Sequence, residues 1–174
     1  MSNQLSDLVK VVHGNGDFSS KLISLVDREP GAVLAKIEGS IVAKERAYTS
    51  VQVSETSDIE LNSDLVYCNH SCDPNVVFDM AKFEVRVDKD RPVKQGDDLT
   101  FFYPSTEWDM QQPFQCRCGS SKCLGTVRGA KYLDDKVLKQ YSLNPHIERL
   151  MAKRKETQAN GKVEYDAASR HLRN

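Results

Sequence analysis

The chain has 174 residues, 39% of them hydrophobic, with 24 basic side chains set against 25 acidic ones. That length suits one domain with a sizeable core and an appendage. The near-zero net charge excludes a chain dominated by nucleic-acid electrostatics, so no direct nucleic-acid partner is expected. No apolar run approaches the roughly 18–20 residues that span a membrane, and MSNQLSDLVK lacks the basic-then-apolar layout of a signal peptide. The expectation is an intracellular protein, nuclear or cytoplasmic, with no membrane partner. Its five cysteines then read as metal ligands or free thiols rather than disulfides.

In chain order, Phe18 to Val42 reads as short β segments: FSSKLISLVDR, a turn at Glu29-Pro30-Gly31, then AVLAKI. Gly39-Ser40 breaks the pattern, and YTSVQV (Tyr48 to Val53) alternates again. NVVFDM and KFEVRVDKD form a predicted hairpin joined near Ala81-Lys82, and PVKQGDDLTFFY turns at Gln95-Gly96-Asp97 into an apolar strand. Beyond Gly129 the period becomes helical. Asp134 is placed to cap a helix carrying Val137, Leu138 and Tyr141, and Pro145 opens a second with Ile147, Leu150 and Met151. From Lys153 the composition turns polar and reads as a solvated, loosely ordered tail.

Cys116, Cys118 and Cys123 make a C-x-C-x4-C cluster, with Gly119 allowing a sharp turn between the second and third sulfurs. Zn²⁺ takes four ligands in closed sites and favours thiolate, so this loop needs one more. Cys72, in the segment YCNHSCDPN, is the candidate. Cys68 in the same segment reads as a small buried hydrophobe. A structural zinc knuckle with no chemistry nearby is the plainer reading of the cluster alone.

Four motifs occur in order: G-x-G (Gly14 to Gly16), N-H-S-C-x-P-N (Asn69 to Asn75), G-D-D-L-T-F-F-Y (Gly96 to Tyr103) and C-x-C-G-S-x-x-C-x-G (Cys116 to Gly125). In order and spacing the chain resembles the SET-domain lysine methyltransferases over about residues 11–133, most of all the short stand-alone members. The resemblance implies a mainly β fold of small curved sheets with short helices and a pseudoknot where Asn69–Ser71 crosses Leu99–Tyr103. It implies a SET domain over 1–110, a post-SET zinc loop over 111–130, and a helical extension with a polar tail over 131–174. The implied reaction moves a methyl from S-adenosylmethionine (SAM) to a lysine amine of a histone or other protein. Tyr103 is the implied catalytic residue. Asn15, Gly16, Phe18, Asn69, His70, Tyr103 and Leu124 are the implied cofactor contacts, and Phe101 and Tyr67 would line the lysine channel. Zinc would be held by Cys72, Cys116, Cys118 and Cys123. The motifs do not speak to oligomeric state.

Three positions depart from the family pattern: Asp17 where an apolar residue is usual, Val66 where many relatives carry Arg, and Phe102 where Asp is common. They keep open a SET enzyme acting on a small molecule with altered or lost SAM dependence. A non-catalytic, zinc-stapled protein-binding module is a further alternative. His13 and His146 lack ligand spacing and read as surface or helix-end residues, Trp108 as a core anchor, and Lys153-Arg154-Lys155 as a solvated helix end.

Overall fold

The computed structural model describes residues 4–16 and 19–171, with side chains described as far as residue 160. Asp17 and Phe18 therefore lie outside the described residues. Strands are short and the sheets small. Helix α1 (Leu5–Leu8) runs into β1 (Val9–Val12), which pairs antiparallel with β2 (Lys21–Ser24). After Gly31, at a φ of 73° that favours glycine, comes β3 (Val33–Lys36). Strands β4 (Ile41–Val42), β5 (Ser50–Gln52) and β6 (Asp58–Glu60) form an antiparallel sheet with β6 central. A 3-10 turn (Asp64–Tyr67) delivers β7 (Asn69–His70). The hairpin of β8 (Val76–Asp79) and β9 (Glu84–Val87) forms as predicted, and β3 lies along its far edge.

Strand β10 (Thr100–Phe101) pairs in parallel with β7, Thr100 opposite Asn69 and Phe101 opposite His70. The apolar strand expected to reach Tyr103 is only these two residues. Pro104 has no amide hydrogen to extend a ladder, and Tyr103–Ser105 turn into a 3-10 helix instead. Asn75 fastens the crossing: its Oδ1 accepts the Thr100 amide at 2.9 Å and its Nδ2 donates to the Asp98 carbonyl at 2.8 Å. Next come the antiparallel pair β11 (Phe114–Gln115) and β12 (Thr126–Val127), then α2 (Asp135–Leu138) and α3 (Pro145–His171).

Two apolar cores result among the described residues. The larger is built from the sheets and includes Leu22, Leu34, Phe78, Val85 and Phe101. The smaller joins Phe102 to Ala130, Leu138, Ile147 and Met151. Adjacent residues of one extended segment point to opposite sides, so Phe101 enters the first core and Phe102 the second. Phe102 thus anchors the C-terminal helices to the crossing.

The expected mainly β fold of small sheets with few short helices forms, and C-terminal helices follow it, α3 with 27 residues. The C-terminal region differs from the sequence reading in three respects. The stretch from Lys153 is helical rather than loose, since its Lys, Arg, Glu, Gln and Ala are good helix formers. Lys153 pairs with Glu55, while Arg154 donates to the carbonyls of Lys131 and Leu133 at 2.9 and 3.2 Å and pairs with Asp135. Asp134 occupies the position before α2 but makes no side-chain cap, and α2 ends before Tyr141. His146 is buried rather than at the surface, its Nε2 lying 2.7 Å from the Thr106 carbonyl. Strand β5 does not alternate either: Ser50, Val51 and Gln52 are all buried, because Gln52 satisfies its amide internally through the Ser54 carbonyl and the Trp108 N–H.

Candidate active site and thiol cluster

The β7–β10 crossing brings distant motifs into contact. Asn69 donates from Nδ2 to the Ser20 carbonyl at 2.8 Å, tying the crossing to the loop between β1 and β2 that carries Gly14, Asn15 and Gly16. That loop closes on itself through Gly16 N–H to Ser19 Oγ at 2.9 Å. A Cβ at Gly14 would stand 2.3 Å from Ser19 Oγ, so only glycine fits there. Asn15 and Gly16 are exposed.

Tyr103 leaves the crossing with its ring packed on the larger core. Its hydroxyl donates to the Cys68 carbonyl at 3.1 Å. Burial holds the phenol well above its ordinary pKa, and Cys68 and Glu107 add to the effect. Phe101 is 5% exposed, with its ring 4.1 Å from that of Phe78 and 4.6 Å from that of Tyr103. The Tyr67 ring lies edge-on to His13 at 5.8 Å. It lines a cavity of about 440 Å³ together with His13, Lys10 and Asp64. Tyr67 and Tyr103 both pack against the larger core that contains Phe101.

The His70 ring is buried. Its Nδ1 accepts the Tyr103 backbone N–H at 3.1 Å, which leaves the neutral ring's proton on Nε2, 3.3 Å from Cys72 Sγ. Burial lowers its pKa to about 4, so the ring is neutral at physiological pH.

The sulfurs of Cys72, Cys116, Cys118 and Cys123 all lie within 4.8 Å of one another. Gly119, at a φ of 70°, makes the turn that folds the loop back. Four thiols at this spacing are a donor set for one tetrahedral ion. Burial pushes the Cys72 thiol up to about 11. Cys118 is drawn down to about 6: burial opposes ionisation, but contacts with Cys72, Ser120 and the neighbouring thiols outweigh it. Cys72 Sγ also accepts the Leu124 N–H at 3.4 Å, which places Leu124 beside the crossing. Cys68 lies apart from the cluster, buried, with Sγ 3.4 Å from the Leu99 carbonyl.

Several buried polar residues escaped the sequence reading. Glu107 is buried beneath Tyr103: its N–H donates to the Tyr103 carbonyl at 3.0 Å, and its Oε1 accepts the Gln52 N–H at 2.8 Å and the Thr106 hydroxyl at 3.1 Å. Asn144 joins the start of α3 to β8 and the 3-10 turn through Met80 N–H, the Phe78 carbonyl and the Ser105 carbonyl. Its place just before Pro145 reads as a cap, and nothing local distinguishes that role from a bridge.

Known proteins are similar to this chain in sequence. The SET domain profile matches residues 15–104. Methyltransferase flvH of Aspergillus flavus is 50% identical over 153 residues, covering 88% of this chain and 86% of that protein. Histone-lysine N-methyltransferase EHMT1 of Mus musculus is 29% identical over 122 residues, covering 58% of this chain and 9% of that protein. An H3 lysine-36 specific histone-lysine N-methyltransferase of Chaetomium globosum is 33% identical over 67 residues, covering 36% of this chain and 7% of its own length. With its crossing inside a matched segment that spans just over half of the 174 residues, and with flvH aligned along most of its length, the chain belongs to the SET-domain family of methyltransferases.

Proposed function

We propose that this methyltransferase uses SAM to methylate a lysine ε-amine of a protein substrate, over a lid stapled by one structural zinc ion. The observation that carries the reading is the convergence at Tyr103: the loop bearing Gly14 to Gly16, Asn69, His70 and, through Cys72, Leu124 all meet at the crossing from which Tyr103 emerges. The residues fit the cofactor, since this arrangement joins a loop that tolerates only glycine at Gly14 to polar groups of the crossing. Asn15, Gly16, Phe18, Asn69, His70 and Leu124 are the residues that would hold it. When bound, SAM supplies an electrophilic methyl on a cationic sulfur.

The chain's own contribution is orientation and desolvation. A free lysine amine has a pKa of about 10.4, and only its neutral form is nucleophilic. An apolar wall such as Phe101 would disfavour the ammonium and raise the neutral fraction. Burial raises the Tyr103 pKa and so keeps the phenol protonated, leaving no phenolate to act as a base; its hydroxyl acts as a hydrogen-bonding group that fixes the amine's direction. Zinc, held by Cys72, Cys116, Cys118 and Cys123, would have no open position and so would serve structure alone.

A small-molecule substrate, with altered or lost SAM dependence, is the second reading. It stays open because flvH, aligned over 86% of its length, carries a name that gives no substrate, whereas EHMT1 is aligned over only 9%. Isothermal titration with SAM, followed by mass spectrometry of histone and lysate-protein mixtures, tests the proposal. SAM binding with labelled lysines supports it; no SAM binding, or SAM binding without protein labelling, overturns it and turns the search to a small-molecule substrate with altered or lost SAM dependence.

A further inference from the structure

We propose that the His70 side chain is a positioning residue that ties the four-cysteine cluster to the backbone of Tyr103. The inference rests on the functional reading above for the metal and for the role of Tyr103, and concerns a side chain whose neighbours join the two.

The ring stands between them. Backbone N–H of Tyr103 can only donate, so Nδ1 carries a lone pair and Nε2 carries the hydrogen, which faces Cys72 Sγ at 3.3 Å. Three aromatic rings confine the imidazole: Tyr103 at 5.3 Å, Phe102 at 5.7 Å and Phe114 at 5.7 Å. Phe114 belongs to β11, at the entrance to the cysteine loop, so the ring is held from both the crossing and the lid. Water has little access, as His70 is 9% exposed.

Cys72 Sγ receives a second donor, the Leu124 N–H at 3.4 Å. A metal-bound sulfur is a thiolate, and N–H donors to it are charge-assisted. Loading the cluster therefore tightens the bond to Nε2, and the same ring orients the amide that begins the Tyr103–Ser105 turn. Donors around a metal ligand set its charge and orientation, and losing one typically lowers metal affinity about 10–100-fold.

Two substitutions separate the two nitrogens. In His70→Asn the amide oxygen stands near Nδ1 and can still accept from Tyr103, but nothing donates to Cys72. In His70→Gln the amide nitrogen stands near Nε2 and can still donate to Cys72, but the acceptor for Tyr103 is gone. The full-length protein is loaded with Co²⁺ for sulfur-to-metal absorption and with Zn²⁺ for release to a chromogenic chelator, while hydrogen exchange is followed at the Tyr103 amide. His70→Asn should shift the cobalt band and release zinc about 10-fold faster, with the Tyr103 amide still protected. His70→Gln should keep the cobalt spectrum, expose the Tyr103 amide to faster exchange, and lower kcat more than it changes the KM for SAM. Spectra, release rates and exchange all at wild-type values in both variants would overturn the link, as would two variants with the same pattern. Wild-type protein that takes up no metal overturns this inference and the zinc reading together. Metal-loaded protein that methylates nothing removes only the functional reading, because the spectra and exchange rates still decide this one.

Discussion

Tyr141 lies flat on Phe102, ring centroids 3.6 Å apart and planes within 6°, and its hydroxyl donates to the Cys72 carbonyl at 2.7 Å. Tyr141, three residues beyond α2, thus holds both the anchor of the smaller core and the backbone of a cluster cysteine. Tyr141→Phe keeps the stack and removes one hydrogen bond, a loss of about 1 kcal/mol. Tyr141→Ala removes both and leaves a gap against Phe102, so about 2–4 kcal/mol is expected. Urea unfolding of the metal-loaded protein should rank the variants in that order.

The thiol cluster should bind about one zinc per chain, measured by elemental analysis after purification. Cys72→Ser should lower that stoichiometry or weaken retention against a chelator, since thiolate is the better zinc ligand. Cys68→Ala should leave it intact, because Cys68 lies apart and faces the Leu99 carbonyl. Metal removal should also loosen the loop from Cys116 to Leu124, seen as faster proteolysis there.

Tyr103→Phe preserves the ring and deletes the hydroxyl that meets the Cys68 carbonyl. That carbonyl loses one partner, so stability should fall by only about 1 kcal/mol. Methyl transfer should fall roughly 10²-fold or more, the scale of losing a positioned group in the transition state. Phe101→Tyr adds an oxygen to a residue packed between Phe78 and Tyr103. If the amine approaches past this ring, the variant should retain the first transfer and curtail later ones, read as the ratio of mono- to trimethyl product by mass spectrometry.

Glu107 should make stability depend on pH. Burial raises its carboxyl from 4.5 to about 7, so the folded state binds a proton that the unfolded state releases. Its contribution is fully present below about pH 4.5 and is lost as pH rises through about 7. Glu107→Gln stays neutral and keeps an oxygen for the Gln52 and Thr106 donors. The variant should therefore exceed wild type in stability at pH 8, by at most on the order of 3 kcal/mol, with the difference narrowing by pH 5. Denaturant unfolding of both proteins at the two pH values measures it, and an unchanged difference would contradict a buried, proton-binding Glu107.

Turns were legible because their chemistry is local. Gly31, Gly39, Gly96 and Gly119 all adopt positive φ, and glycine carries that preference wherever it stands. The β8–β9 hairpin was legible for the same reason, as two apolar runs separated by a polar turn. The polar stretch after Lys153 was not. Composition alone does not show that Glu55 and Asp135, far away in sequence, supply partners for Lys153, Arg154 and Lys155.

By itself the sequence determined the motifs, their order and the set of cysteines that can share an ion, because these depend on residue type and short spacing. Tertiary structure decided which groups face one another. Nothing in N-H-S-C says that the His70 ring would stand between the Tyr103 amide and Cys72 Sγ, or that Asn75 would stitch residues 98 and 100. Nothing local says that Phe101 and Phe102 would enter different cores, that Tyr67 would turn toward His13, or that Glu107 would lose its water. Those outcomes follow from burial and long-range packing, where a side chain's neighbours come from segments tens of residues away and its charge state from the water they exclude.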